Sequence, residues 1–205
     1  MRFKKNALLL ALVIVCASCA SGYKTINPQT INYLSTSEDK GVKLEYKYEL
    51  LDKKYKKKEL AKGVRLIAIK ITNNSDSDIV FGEDVRLNYD NGSEIYIMDN
   101  DRVFTSLKQS AASYLWYLLL TPTNLYKTES QNGVQTQSSS VPMGLILGPG
   151  LAGGNMIAVG TANKKFQNDL KTYNLKGMII KQGQTASGLI GIRSDDYNSI
   201  KIKVN

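Results

Sequence analysis

Histidine is missing altogether from this chain of 205 residues. That absence removes imidazole acid–base catalysis, Ser-His and Cys-His nucleophile pairs, and histidine ligation of metal. Cysteine is almost missing too: Cys16 and Cys19 are the only two, and both sit near the start. Whatever folds after residue 20 therefore has no disulfide and no thiol chemistry, and an exported domain must rely on its apolar core. Other classes are not short of material. Apolar residues make up 42% and charged residues 22%, which is ordinary globular usage and argues against wholesale disorder. The length suits one domain with a core and is short for two.

Charge is lopsided toward lysine. The formal net charge is +9, and without Arg2, Lys4 and Lys5 there remain 24 basic against 18 acidic residues, a surplus of +6. Such a surplus suits anionic lipid or polysaccharide, and it equally keeps a lysine-rich protein soluble. No arginine or aromatic cluster organises it, so solubility is the simpler reading.

The first residues have the parts of an export signal. Met1 to Asn6 is basic, Ala7 to Ala17 is apolar for eleven residues, and small residues surround Cys19. The apolar run is shorter than the roughly 20 residues a crossing helix needs. Ala17-Ser18-Cys19 resembles the lipobox of bacterial lipoproteins, in which the lipid-modified cysteine becomes the first mature residue. Cys16 stands where that family usually has leucine. The resemblance implies a leader over 1–18, lipid on Cys19 and a membrane as partner, since several acyl chains anchor stably where one does not. The alternative is plain cleavage after Ala20. Residues 20–24 carry no acidic residue, and resemblance to lipoprotein sorting signals then implies the outer membrane, on its periplasmic side. Nucleic acid is not expected as a partner outside the cytoplasm.

Residues 19–40 are polar and mixed, and the expectation is a lipidated tether leading into one domain over 41–205. Val42, Leu44, Tyr46, Tyr48 and Leu50 alternate with charged residues, as a half-buried strand does. Asp52 to Lys62 carries six lysines and reads as a charged loop. Val64 to Thr72 is β-branched and apolar on both faces, which predicts a central strand. Residues 73–78 are turn chemistry before the short apolar Ile79-Val80-Phe81. Val85, Leu87 and Tyr89 alternate again. Asp90-Asn91-Gly92 supplies a tight hairpin turn, after which 95–98 is expected to pair back. Strands are expected over 175–180, 186–192 and 200–204, with a turn at 181–184. Ile69 to Ser75, ending in Asn-Asn-Ser, and Lys181 to Ile190, a turn into Gly-Leu-Ile, resemble small extracytoplasmic immunoglobulin-like lipoprotein domains. The expected fold is mainly β: an antiparallel immunoglobulin-like sandwich with a helical, Gly-rich insertion over about 104–172.

That insertion breaks the strand rhythm. Ser113 to Thr121 is strongly apolar and holds Trp116, the only tryptophan. A polar stretch, 124–140, leads to a glycine-studded apolar run over 141–162. Residues 163–173 follow as an amphipathic helix with Phe166, Leu170 and Tyr173 at helical spacing. Three readings fit: a cap on the sandwich, a membrane-contacting hairpin, or a protein-docking patch. Tyr114, Leu115, Trp116, Tyr117 and Leu118 are the expected contact residues. Against a membrane hairpin, the first arm is too short to span and Pro149 interrupts the second.

Chemistry is sparse. Gly148-Pro149-Gly150 and Gly153-Gly154 are not a phosphate loop, because no Lys-Ser/Thr follows. Asp76/Asp78, Glu83/Asp84 and Asp99/Asp101 are paired acids of the sort glycoside hydrolysis uses, but turn-rich sequence explains them as backbone caps. Asp99-Asn100-Asp101 lacks the rest of a calcium loop. Lys53 to Lys58 could meet acidic head groups, though a solvated loop is the plainer reading. No cofactor or metal is expected. The expected function is a non-catalytic binding, accessory or assembly subunit of the cell envelope with an envelope protein as partner. The alternatives are a carbohydrate-active hydrolase using paired carboxylates and a purely structural envelope protein.

Overall fold

A computed structural model describes residues 20–131 and 134–205. The leader, Cys16 and Cys19 lie outside the described residues. The architecture is set by one strand. β3 (Val64–Asn73) is apolar on both faces, so it is stable only where both faces are covered. It lies between β2 (Val42–Lys47) and β10 (Thr185–Arg193) in an antiparallel sheet ordered β1-β2-β3-β10-β6, with β1 at Ser35–Asp39 and β6 at Ile97–Met98. The register puts Leu44 opposite Ile71, and Ile190 opposite Ile67.

One face of this sheet presents Val42, Leu44, Tyr46, Ile67, Ile69, Ile71, Ile190 and Ile192. They join Val85 and Leu87 of β5 (Val85–Tyr89), Ile200 and Ile202 of β11 (Ile200–Val204), and Ile79 and Ile180 of the short pair β4 (Ile79–Val80) and β9 (Ile179–Ile180). The opposite face carries Leu66 and Ala68 and lies against helices α1 (Lys53–Lys62) and α2 (Asn100–Leu107). Contact there is close: a side chain at Gly191 of β10 would run into Val103 of α2. Phe166 completes the packing, wholly buried and 5.3 Å from the rings of both Tyr23 and Tyr55.

Several expectations need correction. Among the described residues helix and strand are present in similar amounts, so the chain is mixed α and β with antiparallel sheets rather than mainly β. The lysine stretch at 53–62 is helix α1, not a loop. Lys, Glu, Leu and Ala are good helix formers, and Tyr55 and Glu59, four residues apart, share its buried face. Gly63 ends it in the left-handed conformation, φ 57°, with its N–H on the last-turn carbonyls. Residues 95–98 turn back only briefly. The Ile95 N–H bonds the Leu87 carbonyl, and then Ile97 and Met98 cross to pair with β10.

The stretch expected as a tether is held for most of its length. Ile26 is buried, and Pro28–Thr30 forms a 3-10 turn capped by Asn27. β1 pairs with β2 throughout. The Tyr23 hydroxyl and the Ile26 N–H both donate to Asp169 Oδ2, at 2.9 and 2.8 Å. Nor is there one compact body after residue 41. The chain forms two compact units: a larger one from Tyr23–Gln109 and Asn163–Asn205, and a smaller one from Ser110–Ala162 with residues 20–22.

Candidate functional site: an apolar surface on the smaller unit

The smaller unit contains a 3-10 helix (Ala112–Leu120), strands β7 (Leu125–Gln131) and β8 (Val134–Val141), and most of helix α3 (Gly144–Thr172). The polar stretch expected as a link is thus an antiparallel hairpin, with Leu125 opposite Val141. Asn132-Gly133 between two runs of Thr, Ser and Val is the signal that would have found it. Pro149 does not end α3. It is the sixth residue of the helix, which continues through it without the bond that an N–H there would make to the Leu145 carbonyl.

Two glycines explain how the pieces meet. A side chain at Gly144 would strike the carbonyls of Leu120 and Thr121, and one at Gly148 would meet the Thr121 hydroxyl and the Tyr117 carbonyl. The start of α3 therefore lies directly on the end of the 3-10 helix. Its N–H at Gly144 also bonds the Thr123 carbonyl, at 2.9 Å. In a 3-10 helix residues three apart eclipse. Tyr114 and Tyr117 accordingly stack, with ring centroids 6.3 Å apart, and are buried with Ala152 and Val159 of α3; Leu120 continues the row, partly buried.

The five residues expected at a contact are thus divided. Tyr114 and Tyr117 are interior, and calling them contact residues is corrected. Leu115, Trp116 and Leu118 are exposed, Trp116 by 73%. Leu119, Leu125, Tyr126, Val141, Leu145, Ile146, Leu147 and Ile157 are exposed as well. Eleven large apolar side chains are therefore exposed on this unit, against six on the larger one, among the described residues. Between Lys108 and Lys164 the only charged residues are Lys127 and Glu129. By length and composition α3 could cross a membrane, and 28% of its most apolar stretch is buried.

Among the open clefts of the larger unit, one of about 810 Å³ is lined by Glu94, Tyr96, Asp99, Asp101, Arg102 and Arg193 among others. Two of the suspected acids do share it with a third carboxylate. Asp99, however, is bonded to Lys176 Nζ at 2.7 Å, and this partner and its charge hold the carboxyl below its usual range. Asp76, Asp78, Glu83 and Asp84 do not line it. Burial pushes the Glu59 carboxyl up, opposed by the Leu66 N–H and the charge of Arg65, but Glu59 is on α1, outside that cleft. Among the described residues no group of three or more His, Cys, Asp or Glu side chains could hold a metal ion.

A feature the sequence reading missed lies where the chain leaves and re-enters the larger unit. Asn163 accepts from the Gln109 N–H and donates to the Gln109 carbonyl, both at 2.9 Å, and also accepts from the Tyr55 hydroxyl. No known protein family, curated protein or solved structure matches the chain.

Proposed function

We propose that this protein is a cell-envelope lipoprotein, held by lipid on Cys19, that acts by binding rather than catalysis as an accessory or assembly subunit. The observation that carries this reading is the exposed apolar surface of the smaller unit, around Leu115, Trp116, Leu118, Ile146 and Ile157. Isolated exposed apolar residues are ordinary, but a gathered set on a unit nearly free of charge is what contact surfaces have. The larger unit serves as scaffold, and we read it as an immunoglobulin-like sandwich. The inward-facing Ile, Val and Leu side chains shared between its sheets support this, while α1 and α2 over the far face are additions to that plan. Anchoring at the outer membrane, facing the periplasm, is supported by the leader sequence and by the absence of acid at residues 20–24.

Metabolic labelling with a palmitate analogue tests the anchor. The normal chain should carry label in the membrane fraction, and Cys19→Ser should carry none; an unlabelled normal chain would overturn the lipoprotein reading. A hydrolase is the second reading, favoured by the shared cleft of Glu94, Asp99 and Asp101. It requires one carboxylic acid that stays protonated near neutrality, and Asp99, held ionised by Lys176, does not supply it.

A further inference from the structure

We infer that the occupant of the apolar surface is a phospholipid bilayer, into whose interfacial layer the smaller unit sinks as a second anchor beside the lipid. This rests on the reading that the surface is the binding site, and it does not require the lipid itself.

Charge is the first argument. A surface for a protein partner ordinarily has a polar rim and is enriched in arginine. The stretch from Gln109 to Asn163 has no arginine and only Lys127 and Glu129 as charges, in a chain that is 22% charged. Hydrocarbon tolerates that composition, and a protein rim does not need it. The aromatic residues agree. Trp116 and Tyr126 are 73% and 70% exposed, and both have the apolar body and polar tip that favour the head-group layer. In sequence the uncharged stretches are bounded by Lys108, Lys127 and Lys164-Lys165, a charge sign compatible with anionic head groups.

Geometry limits the depth. The chain enters the unit after Gln109 and leaves at Asn163, two residues tied side by side, so crossing the bilayer would take two passes. The 3-10 helix has nine residues, which at about 2 Å each reach about 18 Å. A bilayer core is about 30 Å thick. Partial immersion remains, to a depth of about 5–10 Å as for other interfacial helices. One face of α3 is already taken by Tyr114 and Tyr117, leaving Leu145, Ile146 and Ile157 outward. The first described residue belongs to the same unit: the Ala20 N–H bonds Asn155 Oδ1 in the middle of α3.

The test uses the mature chain from residue 19 with Cys19→Ser, which keeps every described residue and carries no lipid. Trp116, the only tryptophan, reports directly. With vesicles of phosphatidylethanolamine and phosphatidylglycerol, its emission should move to the blue and the protein should float with the lipid. The variant L119S/I146S/I157S changes only exposed side chains. It should keep its circular dichroism and lose at least about tenfold in partitioning. The inference is overturned if the folded protein stays in the aqueous fraction with water-like Trp116 emission, or if the triple variant floats equally well. A blue shift that grows with protein concentration in lipid-free buffer, together with a larger particle, would overturn it in favour of contact between copies. Failure of the lipoprotein reading would instead show as missing palmitate label in cells with flotation intact.

Discussion

Phe166 and Trp116 are both large aromatic residues in helical segments, and the two units treat them in opposite ways. Phe166 is wholly buried among Tyr23, Tyr55 and Phe104, whereas Trp116 is 73% exposed. In the larger unit apolar residues alternate with charged ones, so one register satisfies both core and solvent. In the smaller unit polarity has no such period. Tyr114 and Tyr117 find the interior because they are three apart, and most of the apolar side chains between and beyond them remain outside. Apolar content alone does not decide burial; its phase against charge does.

The sharpest break in that comparison is a pair of truncations followed by urea unfolding. Phe166→Ala should cost about 3–5 kcal/mol, since it opens a cavity in a packed core. Trp116→Ala should cost less than about 0.5 kcal/mol. Comparable losses at the two sites would mean that Trp116 is structural after all. Next in size is Asn163→Ala, which removes the bonds to both backbone groups of Gln109 and to the Tyr55 hydroxyl. About 2 kcal/mol should be lost, and amide exchange at Gln109 should quicken. An unchanged exchange rate would show that the tie does not hold the entry point.

The smallest effect concerns Glu59, buried on α1 with Oε1 on the Leu66 N–H and Oε2 without a hydrogen-bond partner. Its folded pKa lies above the ordinary carboxylate value because of burial. The folded state therefore binds the proton more tightly than the unfolded chain. Relative to the E59Q variant, stability should rise as pH falls from neutral through that raised value, and the rise should be complete below the ordinary one. Urea midpoints for both proteins at pH 7 and pH 5 measure it; parallel midpoints would mean that Glu59 does not titrate in this range.

Legibility followed range. β2, β3, β5, β10 and β11 were readable because period-two alternation or a doubly apolar run is local information. α1 was not, since only Tyr55 and Glu59 face inward and six of its ten residues are lysines, so no apolar stripe announces it. The ordering of 23–39 depends on Asp169 and on β2, partners no local pattern reveals. Which side chains of the candidate segment face outward was not legible. The segment 113–121 looked uniformly apolar, and only the 3-10 turn separates Tyr114 and Tyr117 from Leu115, Trp116 and Leu118.

The paired bonds between Gln109 and Asn163 make the insertion a cassette. Its two ends meet at a single point on the larger unit, so its contents can lengthen, shorten or be exchanged without moving a strand of the five-stranded sheet. A lineage carrying this scaffold could change what its members touch by rewriting residues 110–162 together with the 20–22 segment that Asn155 holds, while selection on the scaffold went on undisturbed.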